Sequence, residues 1–191
     1  MRIVDGKLVL RDFCNQDIED EVRWNTVLTD WMEADTPWMD DEPDDEGRIR
    51  SDMGVFAMMS SRMPDTTVRP RLEIEWEGKH VGFISSYFLE NDYTEAPYDP
   101  FRRPDGMKQA VGLAICEPEW RGKGIGTEAL ALFESYLRER GRDEICIETW
   151  PGNTPMLHIA EKRGYVLVRK TERAHAKGNE TWDGLVLMKK L

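Results

Sequence analysis

A glycine-rich segment between a predicted strand and a predicted helix is the feature that most restricts how this chain can fold. Three glycines lie within residues 122–126, after the apolar run Lys108–Cys116 and before Thr127–Arg140, whose apolar residues have helical spacing. Backbone N–H groups at a helix start can bind an anion, and glycines let a diphosphate approach the backbone closely. Arg121 and Lys123 would add charge-assisted contacts. The segment predicts a phosphate-bearing ligand; the alternative is a turn that only joins strand to helix.

The spacing of these glycines does not match two common nucleotide motifs. A Walker loop requires Gly-Lys-Ser/Thr, but Gly124 is followed by Ile125. A dinucleotide fingerprint, GxGxxG, counted from Gly122 places Thr127 at the third glycine position. A different phosphate-bearing ligand is therefore expected.

The elements that follow the segment are predicted with clear boundaries. Glu144–Trp150 has a strand pattern, and Thr154–Arg163 is a short helix that starts after Asn153. Gly164 is the predicted C-cap of this helix. Two strands are predicted to close the chain: Tyr165–Lys170 and Thr181–Met188.

This order of elements, with the glycine segment, resembles the GNAT superfamily of acetyl-coenzyme A dependent N-acetyltransferases. The family's diphosphate signature, Gln/Arg-x-x-Gly-x-Gly/Ala, stands here as Arg121-x-x-Gly124-x-Gly126. The Asn-led helix that closes on Glu-Lys-x-Gly-aromatic stands here at 153–165. Residues 117–124 are most similar to the Rim-type branch, which includes ribosomal-protein N-terminal and some aminoglycoside acetyltransferases.

The resemblance implies a single acetyltransferase domain over residues 1–191. Its α/β (α+β) fold would be GNAT-like: a mixed, mostly antiparallel central sheet of about six to seven strands, flanked by helices, with a splayed central strand pair. An acetyl-CoA core would occupy about residues 108–165, and an acidic helical acceptor-site region about residues 15–63. A homodimer is the assembly that the family allows.

The resemblance also assigns residues to the cofactor. In the family, pantetheine bonds main-chain groups of the splayed strand, and the diphosphate rests on the glycine segment. Asn153 would meet the pantetheine or cap its helix, and Lys162 would approach the 3′-phosphate or solvate the helix end. The residues assigned to acetyl-CoA (coenzyme A) are Ala114, Ile115, Cys116, Arg121, Gly122, Lys123, Gly124, Ile125, Gly126, Thr127, Asn153 and Lys162.

The chain departs from the family at the positions that usually transfer protons. These positions hold Ala110, Ala160 and Met156, none of which can act as an acid or a base. The expected catalytic residues are instead Glu148, as a base at the end of its strand, and Tyr165, as an acid for the thiolate. The alternatives are a solvated strand-end carboxylate for Glu148 and, for Tyr165, packing at the position where the family usually has phenylalanine. Two histidines are expected to be surface or packing residues without a carboxylate partner: His80 and His158.

Acidic residues are concentrated near the N-terminus. Residues 15–46 hold 13 acidic residues and a single base, Arg23, and they also include Trp24, Trp31 and Trp38. Carboxylates beside aromatic faces suit an ammonium group through ion pairing and cation–π attraction. The segment therefore predicts one wall of a site for a cationic acceptor; the alternative is a solvated acidic surface.

The remaining elements of the first half are predicted from periodicity. A strand, two helices and a hairpin around residues 77–79 are expected, with Asp44 or Asp45 as the cap of the second helix. A proline-rich insertion after the hairpin is expected to cover a site. The ranges are Leu8–Phe13 (strand), 15–30 and 45–63 (helices), 40–46 (acidic loop), Arg71–Trp76 and His80–Leu89 (hairpin) and Glu90–Gly106 (insertion).

Composition excludes several classes of partner. The net charge of −11 disfavours nucleic acid. No apolar run approaches the roughly 20 residues that cross a bilayer, and no signal-peptide pattern is present, so neither a membrane role nor export is expected. Three scattered cysteines and three scattered histidines suggest neither disulfides nor a metal site, and a cytoplasmic location is expected.

The sequence therefore predicts a transferase. The expected activity is acetyl-CoA dependent N-acetylation of a small cationic amine or a peptide N-terminus by direct transfer in a ternary complex. Three alternatives stay open: an O-acetyltransferase, a catalytically silent acyl-CoA binding or sensing module, and a nucleotide-binding regulatory domain.

Overall fold

The computed structural model describes residues 1–39, 45–94, 96 and 107–191, and these residues form one eight-stranded sheet. The strands are β1 (Arg2–Asp5), β2 (Leu8–Arg11), β3 (Arg71–Trp76), β4 (Lys79–Leu89), β5 (Lys108–Ile115), β6 (Glu144–Thr149), β7 (Val166–Lys177) and β8 (Glu180–Lys190). Their order across the sheet is β1-β2-β3-β4-β5-β6-β8-β7, and neighbours are antiparallel except for the parallel pair β5–β6. The predicted fold class, mixed and mostly antiparallel, is confirmed.

The sheet has one strand more than the sequence predicted. The strand expected at Leu8–Phe13 is β2, which ends at Arg11, and β1 precedes it in a hairpin that turns at Gly6, where φ is +57°. β1 was missed because four mostly exposed residues carry no apolar alternation. β7 and β8 are also longer than predicted. The C-terminal half of β7 and the N-terminal half of β8 pair only with each other and extend beyond the end of β6.

Five helices lie in the described part of the chain: α1 (Ile18–Thr26), α2 (Asp30–Asp35), α3 (Glu46–Arg62), α4 (Ile125–Glu139) and α5 (Thr154–Arg163). None of them combines the length and the apolar character needed to cross a bilayer. The helix predicted over residues 15–30 is instead a 3₁₀ turn followed by α1 and, after a break, α2. Asp45 caps α3, because its carboxylate accepts the Arg48 amide at 2.7 Å.

Two predicted segments fall largely outside the described residues. The acidic run 40–46 is described only at Asp45 and Glu46, and the insertion 90–106 is described only at residues 90–94 and 96. The hairpin before the insertion is confirmed: Glu77 and Gly78 both have positive φ, 50° and 78°, as a tight turn of the I′ type requires.

The two faces of the sheet are covered differently. α4 and α5 pack on one face, where the main apolar core lies, and α1 and α2 lie on the other, which we call the acceptor face. Main-core residues include Leu10, Leu72, Ile74, Val111, Leu130, Phe133, Ile145 and Ile147. A second, smaller cluster contains Leu89, Ala110, Cys146 and Val186. Because side chains alternate along a strand, Ala110 and Cys146 face opposite to Val111 and Ile147.

The sheet opens at its centre. β5 and β6 pair only at Ala110 with Cys146, although both strands continue beyond this point. Their C-terminal ends therefore diverge, and the sheet edge of β5 beyond Ala110 is left without a ladder partner. The splayed strand pair expected from the sequence is present.

Candidate active site

The glycine segment forms the start of α4 with its amides unpaired. Gly122 and Gly124 have φ of +71° and +85°, which non-glycine residues rarely adopt, and Gly124 is the N-cap. The first α-helical bond runs from the Glu128 amide to the Gly124 carbonyl at 3.1 Å. The amides of Ile125–Thr127 consequently have no carbonyl partner in the helix and are available to an anion.

Gly126 has a different role from the other two glycines. A Cβ atom built on it would lie 3.1 Å from Ile159 Cδ1 and 3.2 Å from Leu113 Cδ1, whereas one on Gly122 or Gly124 would meet nothing within 4 Å. Gly126 therefore allows α4 to approach β5 and α5 closely. Gly122 and Gly124 are required instead for their positive φ angles. That all three glycines also make room for a diphosphate stays a prediction.

The two cations predicted to contact phosphate are engaged elsewhere. The Arg121 guanidinium donates to the Ile115 and Cys116 carbonyls at 2.7 Å each and pairs with Asp30 of α2. The Lys123 ammonium lies 4.5 Å from the centre of the Trp120 ring. Arg121 therefore ties the end of β5 to α2, and its charge is already compensated.

The splayed strand presents a different set of main-chain groups from the one expected. The Cys116 amide bonds the Val81 carbonyl of β4, and alternation along this ladder turns Ala114 toward β4 as well. Leu113 and Ile115 therefore direct their N–H and C=O groups to the open side, and the Ile115 carbonyl is taken by Arg121. Of the three predicted residues, only Ile115 offers a free main-chain group, its amide, to the split.

These elements enclose a cleft of about 390 Å³ that runs from the glycine segment to the split between β5 and β6. Cys116 and Lys123 are the predicted cofactor residues that do not line it. Lys162 of α5 lines it. His158, which was expected to be a surface or packing residue, is exposed and also lines it. The predicted residues that line the cleft are Ala114, Ile115, Arg121, Gly122, Gly124, Ile125, Gly126, Thr127, Asn153 and Lys162.

Asn153 joins the cleft to α2. Its side-chain oxygen accepts the Met156 amide at 3.1 Å, so it caps α5. Its amide nitrogen donates to the Asp35 carboxylate at 3.4 Å. One hydrogen of the Asn153 amide group remains available to a ligand.

Neither predicted catalytic residue lines the cleft. Tyr165 is buried in the main core beside Glu134, and burial, followed by the charge of Glu134, raises its pKa. This position removes Tyr165 from contact with a ligand in the cleft. Glu148, two residues beyond Cys146, shares the acceptor face with it. Glu148 therefore lies near the end of β6, as expected, but it does not line the cleft.

Of the α2 residues that line the cleft, Trp31 was named from the sequence, but Ala34 and Asp35 were not. Trp31, Ala34 and Asp35 line it, and the Trp150 indole nitrogen donates to the Ala34 carbonyl at 3.0 Å. Asp35 is an exposed residue, and the protein around its carboxylate partly shields it from water and so raises its pKa. The clustering of acids and tryptophans in the sequence indicated the region of α2 but did not identify Asp35.

A ring of aromatic side chains continues this wall on the acceptor face. Trp38 stacks on His175 at 3.7 Å between ring centres and lies within 6.4 Å of Trp150 and 6.1 Å of Trp182. Trp31 meets Phe83 of β4 edge to face at 5.5 Å. The predicted tryptophan-rich wall thus brings together α2, the end of β6 and the β7–β8 hairpin.

α1 is held on the acceptor face by buried charges. Arg71 of β3 binds both Glu21 of α1 and its neighbour Glu73. His80 lies between Asp20 at 2.9 Å and Glu73 at 3.0 Å, so the expectation that it lacks a carboxylate partner was wrong. Asp20 and Glu21, two of the 13 acids in residues 15–46, are thus held in ion pairs inside the fold.

We expect His80 to make folding stability depend on pH. Burial alone lowers its pKa, but hydrogen bonds to Asp20 and Glu73 outweigh burial and raise the pKa to about 9. A raised pKa means that the protonated form stabilises the fold, fully below about pH 6.5 and progressively less as pH rises to about 9, by at most about 3 kcal/mol. Urea unfolding at both pH values should show this loss. His80→Gln should flatten it, and an equally steep loss in that variant would contradict the assignment.

Comparisons with known proteins find relatives by sequence and by structure. The N-acetyltransferase 9-like protein of Caenorhabditis elegans is 30% identical over 97 residues, which are 48% of this chain and 46% of that relative, so the match spans about half of the relative's length. An acetyltransferase of Salmonella typhimurium, described as modifying the N-terminal serine of a 50S ribosomal subunit protein, superposes with a TM-score of 0.73 at 13% identity, over 99% of this chain and 98% of that one.

A second Salmonella typhimurium structure, an acetyltransferase described with its cofactor acetyl-CoA, superposes with a TM-score of 0.64 at 15% identity, over 97% of this chain and 95% of that one. At these identities the two structures establish a shared fold. The acetyltransferase (GNAT) domain family matches residues 7–166 by sequence. The chain belongs to the GNAT acetyltransferase family.

Proposed function

We propose that this chain is an acetyl-CoA dependent N-acetyltransferase that acts on the primary amine of a small cationic molecule or a peptide N-terminus, by direct transfer with both substrates bound. One observation carries the proposal: a single cleft joins the unpaired amides of residues 125–127 to the open edge of β5. A long ligand with a diphosphate in its middle and an amide-containing arm matches both ends. Neighbours of the same fold are described with acetyl-CoA and with N-terminal serine acetylation.

The residues present fit coenzyme A. Amides of Ile125, Gly126 and Thr127 would hold the diphosphate, Lys162 would face the 3′-phosphate, and the free groups of Leu113 and Ile115 would pair with the pantetheine arm. When bound, acetyl-CoA supplies an activated acetyl group, and the products are the N-acetyl compound, free coenzyme A and one proton. N–H groups of the open strand edge are suited to stabilise the developing negative charge on the acetyl oxygen.

The acceptor would approach from the acceptor face. An alkyl ammonium is attracted by carboxylates and by the faces of aromatic rings, and that face carries Glu148 together with Trp31 and Trp38. We propose that Glu148 draws the cation toward the cleft. The acceptor region at 15–63 and the cofactor core at 108–165 would form one domain, as a monomer or a homodimer, and the three free cysteines suit the reducing cytoplasm.

Calorimetry with coenzyme A and thiol release from acetyl-CoA test the proposal together. We expect measurable affinity for coenzyme A and faster thiol release with at least one member of a panel of polyamines, aminoglycosides and peptides. Binding without acceptor-dependent release would favour the silent module, and an acetylated hydroxyl in the product's mass spectrum would favour O-acetylation. Absence of affinity for coenzyme A would refute the proposal.

Thr127→Pro should weaken coenzyme A binding without breaking α4. Proline is tolerated in the first helical turn, and the Thr127 amide makes no ladder bond, so the change removes one diphosphate donor and little else. A hydrogen bond to a charged group contributes about 1.5–3 kcal/mol, so calorimetry should show roughly a tenfold loss or more. Thr127→Ala, which keeps the amide, is the control. Equal affinities of the two variants for coenzyme A would show that the Thr127 amide does not bind the diphosphate.

A further inference from the structure

The cleft carries charges of both signs. Lys162 of α5 supplies a cation, whereas the charge of Arg121 is already compensated by Asp30. Asp35 is the one carboxylate among the described residues that line the cleft. Its contacts with the connection that follows β6 put Asp35 at the mouth of the split, where the acetyl group of the proposed cofactor would be presented.

Two contacts fix Asp35 at that mouth. Trp150, the residue after β6, holds the preceding residue Ala34 through its carbonyl at 3.0 Å. Asn153, the cap of α5, donates to Asp35 itself at 3.4 Å. Both contacts come from the connection between β6 and α5, so Asp35 is anchored beside the diverging end of β6.

The Asp35 carboxylate has room for another partner. Asn153 provides one neutral, long hydrogen bond, and no cation pairs with Asp35 among the described residues. Asp30, on the same helix, is paired with Arg121, so Asp30 and Asp35 differ in this respect. A carboxylate that is partly desolvated and lacks a cation is suited to receive an ammonium group and its proton.

On the basis of the proposed function, we infer that Asp35 binds the acceptor ammonium and takes its proton, which makes the nitrogen nucleophilic. The ammonium loses one proton to the carboxylate, which releases it to water. The second proton that the nitrogen loses on forming the amide bond ends on the coenzyme A sulfur as the carbon–sulfur bond breaks. The substrate class is therefore a primary alkyl amine that is protonated at neutral pH.

Two coenzyme A analogues test this assignment without knowledge of the acceptor. S-(2-aminoethyl)-coenzyme A carries an ammonium beyond the sulfur, and S-propyl-coenzyme A is its neutral isostere. By calorimetry, the unmodified chain should bind the ammonium analogue about tenfold more tightly or better. Asp35→Asn, which keeps the acceptor oxygen for Asn153, should abolish this preference and leave the affinity for the propyl analogue unchanged.

The control is Glu33→Gln, which removes an exposed carboxylate from the same helix and should keep the preference. Equal affinity of the two analogues for the unmodified chain would overturn the inference and leave the proposed cofactor site intact. Failure of both to bind would instead refute the proposed function. Equal weakening of both analogues by Asp35→Asn would make Asp35 structural, and loss of preference in Glu148→Gln alone would transfer the role to Glu148.

Discussion

Replacing Arg71 by leucine is expected to lower the free energy of unfolding by about 3–5 kcal/mol, measured by urea denaturation at neutral pH. Arg71 is the charged partner of Glu21, whose side chain is 5% exposed, and it also binds Glu73, which is fully buried. Burial raises the pKa of Glu21 in spite of Arg71. Without the guanidinium, Glu21 must be buried unpaired, take up a proton, or pull α1 away from the sheet.

A second substitution separates this charge effect from lost packing. Arg71 also stacks over the Phe83 ring at 4.0 Å, so part of the cost could arise from that contact. Glu21→Gln added to Arg71→Leu removes the unpaired charge and should restore a large part of the lost stability. Acidification should also reduce the deficit of the single variant, because a protonated Glu21 no longer needs a partner. A deficit that is unchanged by both treatments would show that packing, not charge, is responsible.

The buried charges explain why the docking of α1 on the sheet could not be derived from the sequence. Apolar periodicity predicts how α4 and α5 pack, but α1 docks through Glu21 on Arg71 and through His80 between two carboxylates. These pairs join residues 50 and 60 positions apart in the chain, so counting local charge shows only a surplus of acid. The same long-range pairing explains the incorrect expectation for His80.

The conformation of the glycine segment was predictable because its signal is local. Glycines with positive φ, a helix start and a strand before it all lie within one short segment, so the sequence alone indicates an anion site. The sequence of this segment could not show which partners its side chains contact. Arg121 belongs to the signature, yet Asp30 and two carbonyls hold it, because α2 happens to dock there.

Asp35→Asn is expected to slow acetylation of an alkyl ammonium acceptor about 100-fold or more, because the variant can react only with the small fraction of the amine that is already neutral in solution. An alkyl amine with a pKa near 10.4 is well under 1% neutral at about pH 7, and this fraction grows about tenfold for each pH unit. The ratio of the kcat/KM values of the unmodified chain and the variant should therefore shrink as pH rises.

Thiol release measured between about pH 7 and pH 9 provides the test, with affinity for coenzyme A measured on the same samples. A positioning role for Asp35 would predict a ratio that is constant with pH, since misplacement does not depend on the protonation of the amine. Asp35→Glu should recover part of the rate, because the base is kept while its reach changes, and Glu33→Gln should match the unmodified chain throughout. A pH-independent defect in Asp35→Asn would place the proton acceptor elsewhere on the acceptor face, and Glu148 would then be the carboxylate to test.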